Sequence, residues 1–247
     1  MWKFIQFELS YWLKKQMVWV FFFINTALVF FAVASEHVAI GGGIGNTHKN
    51  APFVIEQYYM VFSTICLLIT TAFMNASANR DFQYDTYQFI FTSPIKKRDY
   101  FFGKFIGAAI ASVIPLFGIS AGAILGSILG PVLPPVFDMC PQERFGETNW
   151  AAHFYGIVNF GIPNVIISGV LLFSLAILFR SKIVSFIGAM LILVFYAASD
   201  IFTKDIRKEW LANILDPFGV KPFQLSLIHI SEPTRLRRIS YAVFCLK

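Results

Sequence analysis

YFFGKFIGAAIASVIPLFGISAGAILGSILG, residues 100–130, is apolar over 31 residues and holds one charge, Lys104. As a helix it measures about 46 Å at 1.5 Å per residue, against a hydrocarbon core of about 30 Å. Its small residues are periodic. Gly103, Gly107 and Ala111 fall four apart, with Pro115 next in step, and Gly118, Gly122, Gly126 and Gly130 fall four apart again. Each set forms a strip without bulky side chains along one helical face. Lipid tails give apolar helices no hydrophobic reason to associate, so close backbone approach must supply the attraction. The stretch therefore predicts a central membrane-spanning packing helix, bent where Pro115 lacks an N–H.

The rest of the chain agrees. It has 247 residues, of which 57% are hydrophobic, 17% aromatic and 14% charged, with 29 phenylalanines. A soluble domain carries about 25% charged residues and has no interior large enough for this much apolar surface. The fold class is an all-α polytopic membrane protein. Five spans are predicted, at about 17–35, 54–77, 100–130, 154–179 and 183–202. Pro163 should bend the fourth. Before the first, residues 1–16 place Trp2, Ile5, Leu9, Trp12 and Leu13 at helical spacing, which predicts an amphipathic helix in the membrane interface. Residues 203–224 would begin an external segment.

The net charge of +6 does not point to nucleic acid, because the cations fall in short loops between apolar runs. With the N-terminus inside, the inner loops hold Lys3, Lys14, Lys15, Arg80, Lys96, Lys97, Arg98, Lys104, Arg180 and Lys182. The outer ones hold Lys49, Arg144, Lys204, Arg207, Lys208 and Lys221. That bias orients the N-terminus to the cytoplasm.

Catalytic and metal-binding chemistry finds little support. AIGGGIGNTHKN, residues 39–50, has no Gly-Lys-Ser/Thr and reads as a flexible external loop. His37, His48 and His153 are too scattered for a metal site, and the three cysteines lack ligand spacing. Asn25, Glu56, Asn159, Asn164 and Asp200 are the polar groups in or beside spans, and such groups usually face a bundle interior. Asn75-Ala76-Ser77 has the glycosylation spacing but falls on the cytoplasmic side.

The loop between the second and third spans is richer. NRDFQYDTYQFIFTSPIKKRDYFFGKF, residues 79–105, runs through Arg80, Asp81, Tyr84 and Asp85, then Phe89 and Phe91, then Thr92-Ser93-Pro94, then Lys96, Lys97 and Arg98. The charges alone serve topology. The aromatics need an apolar surface besides, either headgroups or a partner protein.

This arrangement resembles the permease subunit of type-two exporters among the ATP-binding-cassette transporters. The family's signature after the second span is met by Ser93, Pro94, Ile95, Lys97, Arg98, Asp99, Tyr100, Gly103 and Lys104. LDPFG, residues 215–219, resembles the external segment of a Bacteroidetes-like branch whose relatives are often fused to, or encoded beside, peptidase-like domains. The resemblance covers residues 1–224. It implies six spans per half, a homodimer or heterodimer of permeases, and separate nucleotide-binding ATPase subunits that hold ATP and Mg. It also implies a coupling role for residues 80–98, with Asp81, Asp85 and Arg98 in charged contacts and Phe89 and Phe91 in an apolar cleft of the ATPase. The location implied is the bacterial inner membrane. The chain has no Walker motif, so it binds no cofactor itself and is not expected to be an enzyme.

Five spans are one short of six, and the end of the chain offers a reason. LSLIHISEPTR, residues 225–235, and ISYAVFCL, residues 239–246, resemble the translated read-through of a sequencing adapter and its flow-cell primer. Residues 225–247 are accordingly expected to be non-native and the chain truncated before its last span. Two other classes stay open on the residues alone. A secondary transporter or intramembrane scaffold would show internal repeats or broken helices around a polar midplane. A membrane enzyme would show a catalytic constellation.

Overall fold

The computed structural model describes residues 1–35, 38, 48–132, 141–203, 216, 218–220 and 223, with backbone alone at 199–203. His37, the glycine run at 41–45, the Asp200 side chain, Lys204, Arg207, Lys208, Lys221 and the segment 225–247 lie outside the described residues. Among those described, secondary structure is helical: α1 (Trp2–Lys14), α2 (Gln16–Ala34), α3 (Pro52–Ile65), α4 (Leu67–Gln83), α5 (Tyr87–Thr92), α6 (Lys97–Val113), α7 (Phe117–Leu129), α8 (Trp150–Gly156), α9 (Ile162–Phe179) and α10 (Lys182–Thr203).

Every apolar run identified in the sequence coincides with helix, but the count of clear crossings is lower than five. Among the described residues, three stretches are long and apolar enough to cross a membrane alone: Gln16–Ala34, Lys97–Val132 and Trp150–Phe179. The pair α3–α4 makes a fourth if its 46° bend counts as one broken span, and Lys182–Ala198 is a shorter apolar helix. The bend in the second span has no proline behind it. It falls at Cys66, between α3 and α4.

Neither proline ends its span, and each sits beside a local change of helix type. Around Pro115 the long span tightens into a 3-10 turn, Ile114–Leu116, and continues as α7. Ahead of Pro163 the fourth span loosens into a π-helical turn, Ile157–Gly161, and Pro163 then sits in the first turn of α9, where no N–H is required.

The small-residue strip of the third span forms the tightest seam. A Cβ added to Gly103 would lie 2.5 Å from Phe4 Cβ, and one on Gly107 would lie 2.5 Å from Glu8 Cβ. Further along, a Cβ on Gly118 would lie 2.5 Å from the Phe22 carbonyl oxygen. Gly122 meets the Thr26 carbonyl, Gly126 meets Val33, and Gly130 meets Ala34. Steps of four on one helix match steps of four on the other, so α1 runs parallel to α6 and α2 runs parallel to α7. Ala111 is fully buried on the same face. Without side chains between them, the backbones reach dispersion contact that larger residues would forbid.

A second cluster lies where α4, α6 and α9 meet. Met74, Ala78, Ala108, Phe173 and Ala176 are buried there, with Phe105 and Ile177 packed on them. At one end of the helices the loops after α2 and before α8 are tied together. Asn50 Nδ2 donates to Gly146 O at 2.6 Å, Gly146 N donates to Asn50 Oδ1 at 2.8 Å, and Lys49 N donates to Arg144 O at 2.9 Å. Lys49, counted among the outer cations, is buried and donates Nζ to Ser35 O and Val38 O.

Helices α1 to α9 and the start of α10 belong to a compact unit, Met1–Ile192, and the remainder forms a second unit, Leu193–Lys247. In that second unit Phe218 N donates to Asp216 Oδ1 at 3.0 Å, and the Phe218 ring meets Tyr196 edge-on at 5.2 Å. Gly219, with φ 75°, takes the left-handed turn that follows.

Candidate functional site: the α4–α6 loop and its charged root

The last turn of α4 carries two buried opposite charges in sequence, Arg80 and Asp81, and each has found a partner on a different helix. Arg80 forms a fork with Glu8 of α1: Nη1 donates to Oε1 at 3.2 Å and Nη2 to Oε2 at 2.5 Å. Glu8 is completely buried. Its Oε1 also accepts from Ser77 Oγ and from Trp12 Nε1, the latter at 3.0 Å. The guanidinium lies 4.1 Å from the Tyr11 ring centroid and 5.6 Å from that of Phe7, so α1 wraps it on its apolar faces as well.

Asp81 turns the other way, to α6. Its Oδ2 pairs with Lys104 Nζ and accepts from Tyr100 OH at 2.6 Å. Lys104 Nζ donates to Ser77 O at 3.0 Å as well. Two anions and two cations are thus removed from water together, and the set is neutral. Buried charges are tolerated only when paired and hydrogen-bonded, and here each carboxylate meets both a cation and a neutral donor.

The sequence reading placed Arg80 and Asp81 with the loop residues facing a partner. Their contacts are instead committed within the chain, which narrows the outward set to residues 84–98. Tyr84, Asp85, Phe89, Phe91, Ser93, Pro94, Lys96, Lys97 and Arg98 are all exposed. Phe89 is the most open large apolar side chain among them, at 77%.

Local chemistry explains the shape of this loop. Asp85 adopts φ 54°, a left-handed conformation that Asp accepts more readily than most residues, and this reverses the chain after α4. The short α5 then closes on itself: Ser93 Oγ donates to Phe89 O at 2.7 Å and Thr92 Oγ1 to Gln88 O at 2.9 Å. Its inner side joins an aromatic group. Phe82 stacks on Tyr87 at 5.4 Å, Phe91 lies 6.0 Å from Tyr100, and Tyr100 meets Phe4 at 5.9 Å. Ile90, Phe91, Ile95, Lys97 and Tyr100 line a groove of 490 Å³ beside it.

Other polar groups read from the sequence divide between structural roles and exposure. Asn25 Nδ2 donates to Pro115 O at 3.0 Å and to Cys66 Sγ at 3.3 Å, bridging two interrupted spans. Asn164 Nδ2 donates to Ser63 Oγ at 2.8 Å. His153 is buried with Nδ1 3.0 Å from Ser120 Oγ, which in turn lies 2.5 Å from Tyr59 OH. Asn159 is exposed and Glu56 half-buried. No group of His, Cys, Asp and Glu able to hold a metal occurs among the described residues.

Sequence reasoning missed Glu8, Ser77 and Arg180. Glu8 did leave a signal, since Ile5, Glu8 and Trp12 share one helical face, and a carboxylate within an apolar stripe calls for a buried cation. Arg180 had none. Its guanidinium lies over Phe82 through a contact that no spacing announces.

A family model described as "ABC-2 family transporter protein" matches residues 4–199 of this chain. No curated protein and no solved structure matches it.

Proposed function

We propose, from the premise that this chain belongs to the ABC-2 transporter family, that it is the permease subunit of an export system driven by a separate ATP-binding subunit. The family makes the chain a membrane-embedded transporter component, and its helices are apolar enough for that setting. The finer reading concerns how it is driven. Residues 84–98 receive the motion of the ATP-binding subunit, and the close seam of α6–α7 against α1–α2 carries it into the bundle. ATP and Mg reside on that subunit. The permease works as a homodimer or heterodimer in the bacterial inner membrane, with α1 and the α4–α6 loop on the cytoplasmic side.

One observation carries this reading. Phe89 is held out to solvent at the tip of a helical reversal whose root is charged, buried and tightly bonded. A mere topology anchor requires neither the exposed ring nor the rigid base. The cationic stretch Lys96–Arg98 beside it supplies a charge that an acidic patch would complement. The broken α3–α4 span does not favour a secondary transporter, because the backbone at the break stays bonded within the chain, Cys66 N to Phe62 O and Thr70 N to Cys66 O.

The experiment is co-purification with the ATP-binding subunit after changing Phe89→Ala, Phe91→Ala and Asp85→Asn together. Loss of the complex with the permease still folded is the expected result. Retention of the complex at wild-type yield removes the assigned surface.

A further inference from the structure

We propose that Glu8 is a positioning residue for the loop that follows α4, acting by keeping Arg80 away from Asp81. The two charges of α4 are neighbours in sequence and nearly a pair already: Arg80 Nε lies 4.0 Å from Asp81 Oδ1. They do not close on each other because each is engaged elsewhere. Glu8 takes both terminal nitrogens of Arg80, and Lys104 with Tyr100 takes Asp81 Oδ2. The direction in which the chain leaves α4 depends on that sorting. Tyr84, which ends the helix, and Asp85, which reverses it, follow within a few residues.

Glu8 is well placed to enforce the arrangement. A Cβ on Gly107 would lie 2.5 Å from Glu8 Cβ, so α1 is pinned against α6 at this residue. Its carboxylate is further fixed by Trp12 and Ser77. Removing the Glu8 charge leaves Arg80 as a buried cation beside one remaining anion. The low-dielectric site then favours transfer of Asp81 from Lys104 and Tyr100 to Arg80. Tyr100 is also the ring on which Phe91 packs, at 6.0 Å, so the loop loses its seat at the same moment. In this reading α1 is part of the apparatus that aims the loop, and its attachment is electrostatic.

The inference rests on the coupling role proposed for the loop, but its test does not need the ATP-binding subunit. Nitroxide labels are placed at Gln88 and Leu171, both exposed, in the full chain with Cys66, Cys140 and Cys245 replaced by serine. The protein is reconstituted in lipid nanodiscs, and the label-to-label distance is read by pulsed electron paramagnetic resonance. Glu8→Gln is expected to shift the distribution beyond its wild-type width. Arg80→Gln alone is expected to leave it in place, since Asp81 then has no competitor for Lys104. Glu8→Gln with Arg80→Gln is expected to return it to the wild-type position. A pair that served only stability would displace the loop in Arg80→Gln as much as in Glu8→Gln, because either change leaves one buried charge unpaired.

A wild-type distance in Glu8→Gln overturns the proposal, and so does a double variant that stays displaced. If Glu8→Gln does not fold, Glu8→Asp, which shortens the reach and keeps the charge, carries the same comparison. Co-purification of the same variants with the ATP-binding subunit is scored separately. A loop that moves as expected while complex yield never follows it overturns the coupling role and leaves the positioning role standing.

Discussion

The guanidinium of Arg180 lies 4.5 Å from the centroid of the Phe82 ring, and so joins the turn after α9 to the root of the α4–α6 loop. Arg180 holds this position from a left-handed conformation, φ 49°, at the C-terminus of α9. That conformation costs an L-residue about 1–2 kcal/mol, while the cation–ring contact returns about 0.5–1 kcal/mol at an exposed site. Arg180→Ala keeps the strain and loses the contact, so it should destabilise by about 0.5–1 kcal/mol. Arg180→Gly sheds both and should lie close to wild type. Equilibrium unfolding in mixed micelles distinguishes the two: equal losses would show that the left-handed conformation carries no strain, and no loss in Arg180→Ala would show that the ring contact contributes nothing.

The glycine seam gives a graded prediction within one helix face. A side chain at Gly118 or Gly122 meets backbone of α2, which has nowhere to move, whereas at Gly130 the nearest atoms are Cα and Cβ of Ala34 at 3.4 Å. Gly118→Ala and Gly122→Ala should each cost about 1–3 kcal/mol through overpacking. Gly130→Ala should cost less than either, because its Cβ meets Ala34 at ordinary contact distance and only the ring of Pro131, next in the chain, crowds it. The check is the midpoint of unfolding for the three variants side by side. A cost at Gly130 equal to that at Gly122 would mean that the seam is not set by backbone approach.

The seam was legible in the sequence because close approach leaves a mark on one helix alone: a small residue every fourth position from Gly118 to Gly130. The prolines were legible for the same reason, since Pro115 and Pro163 each announce a local defect. The charged root of the loop was not. Glu8 and Arg80 are 72 residues apart, and although a carboxylate between Ile5 and Trp12 calls for a buried cation, nothing in the spacing says which one. Lys104 was visible as the one charge of its span, but its burial against Asp81 depends on the packing of α4 on α6. The bend at Cys66 left no trace in composition: no proline marks it, and the side chain that meets Cys66 Sγ, Asn25, comes from another span.

Phe89 separates the proposed docking role from a structural one. At 77% exposure it contributes little to folding. Phe89→Ala should therefore leave the unfolding midpoint unchanged. If the ring is an anchor in a pocket of the ATP-binding subunit, its loss should cost about 2 kcal/mol of binding, or roughly 30-fold in Kd. Titration of the purified subunit onto permease nanodiscs measures this. Unaltered affinity would move the anchor to Tyr84 or Phe91, the other exposed rings of the loop.

Asn25 tests how two broken spans are held in register. Its amide nitrogen serves Pro115 O in the 3-10 turn of the third span and Cys66 Sγ at the bend of the second. Sulfur is a weak acceptor and a carbonyl a strong one, so the two bonds should not be equal. Hydrogen bonds between membrane helices average about 0.6 kcal/mol and reach about 1.7 kcal/mol. Asn25→Ala should fall near the upper value, because it takes a donor from Pro115 O, which keeps its bond from Phe117 N–H, and opens a small cavity. Cys66→Ala should cost less. In a double-mutant cycle the coupling between the two should remain below about 0.5 kcal/mol, which is the additivity expected of weakly interacting sites. A large coupling would instead make the Asn25–Cys66 contact, and not the bond to Pro115, the pin that holds the bend.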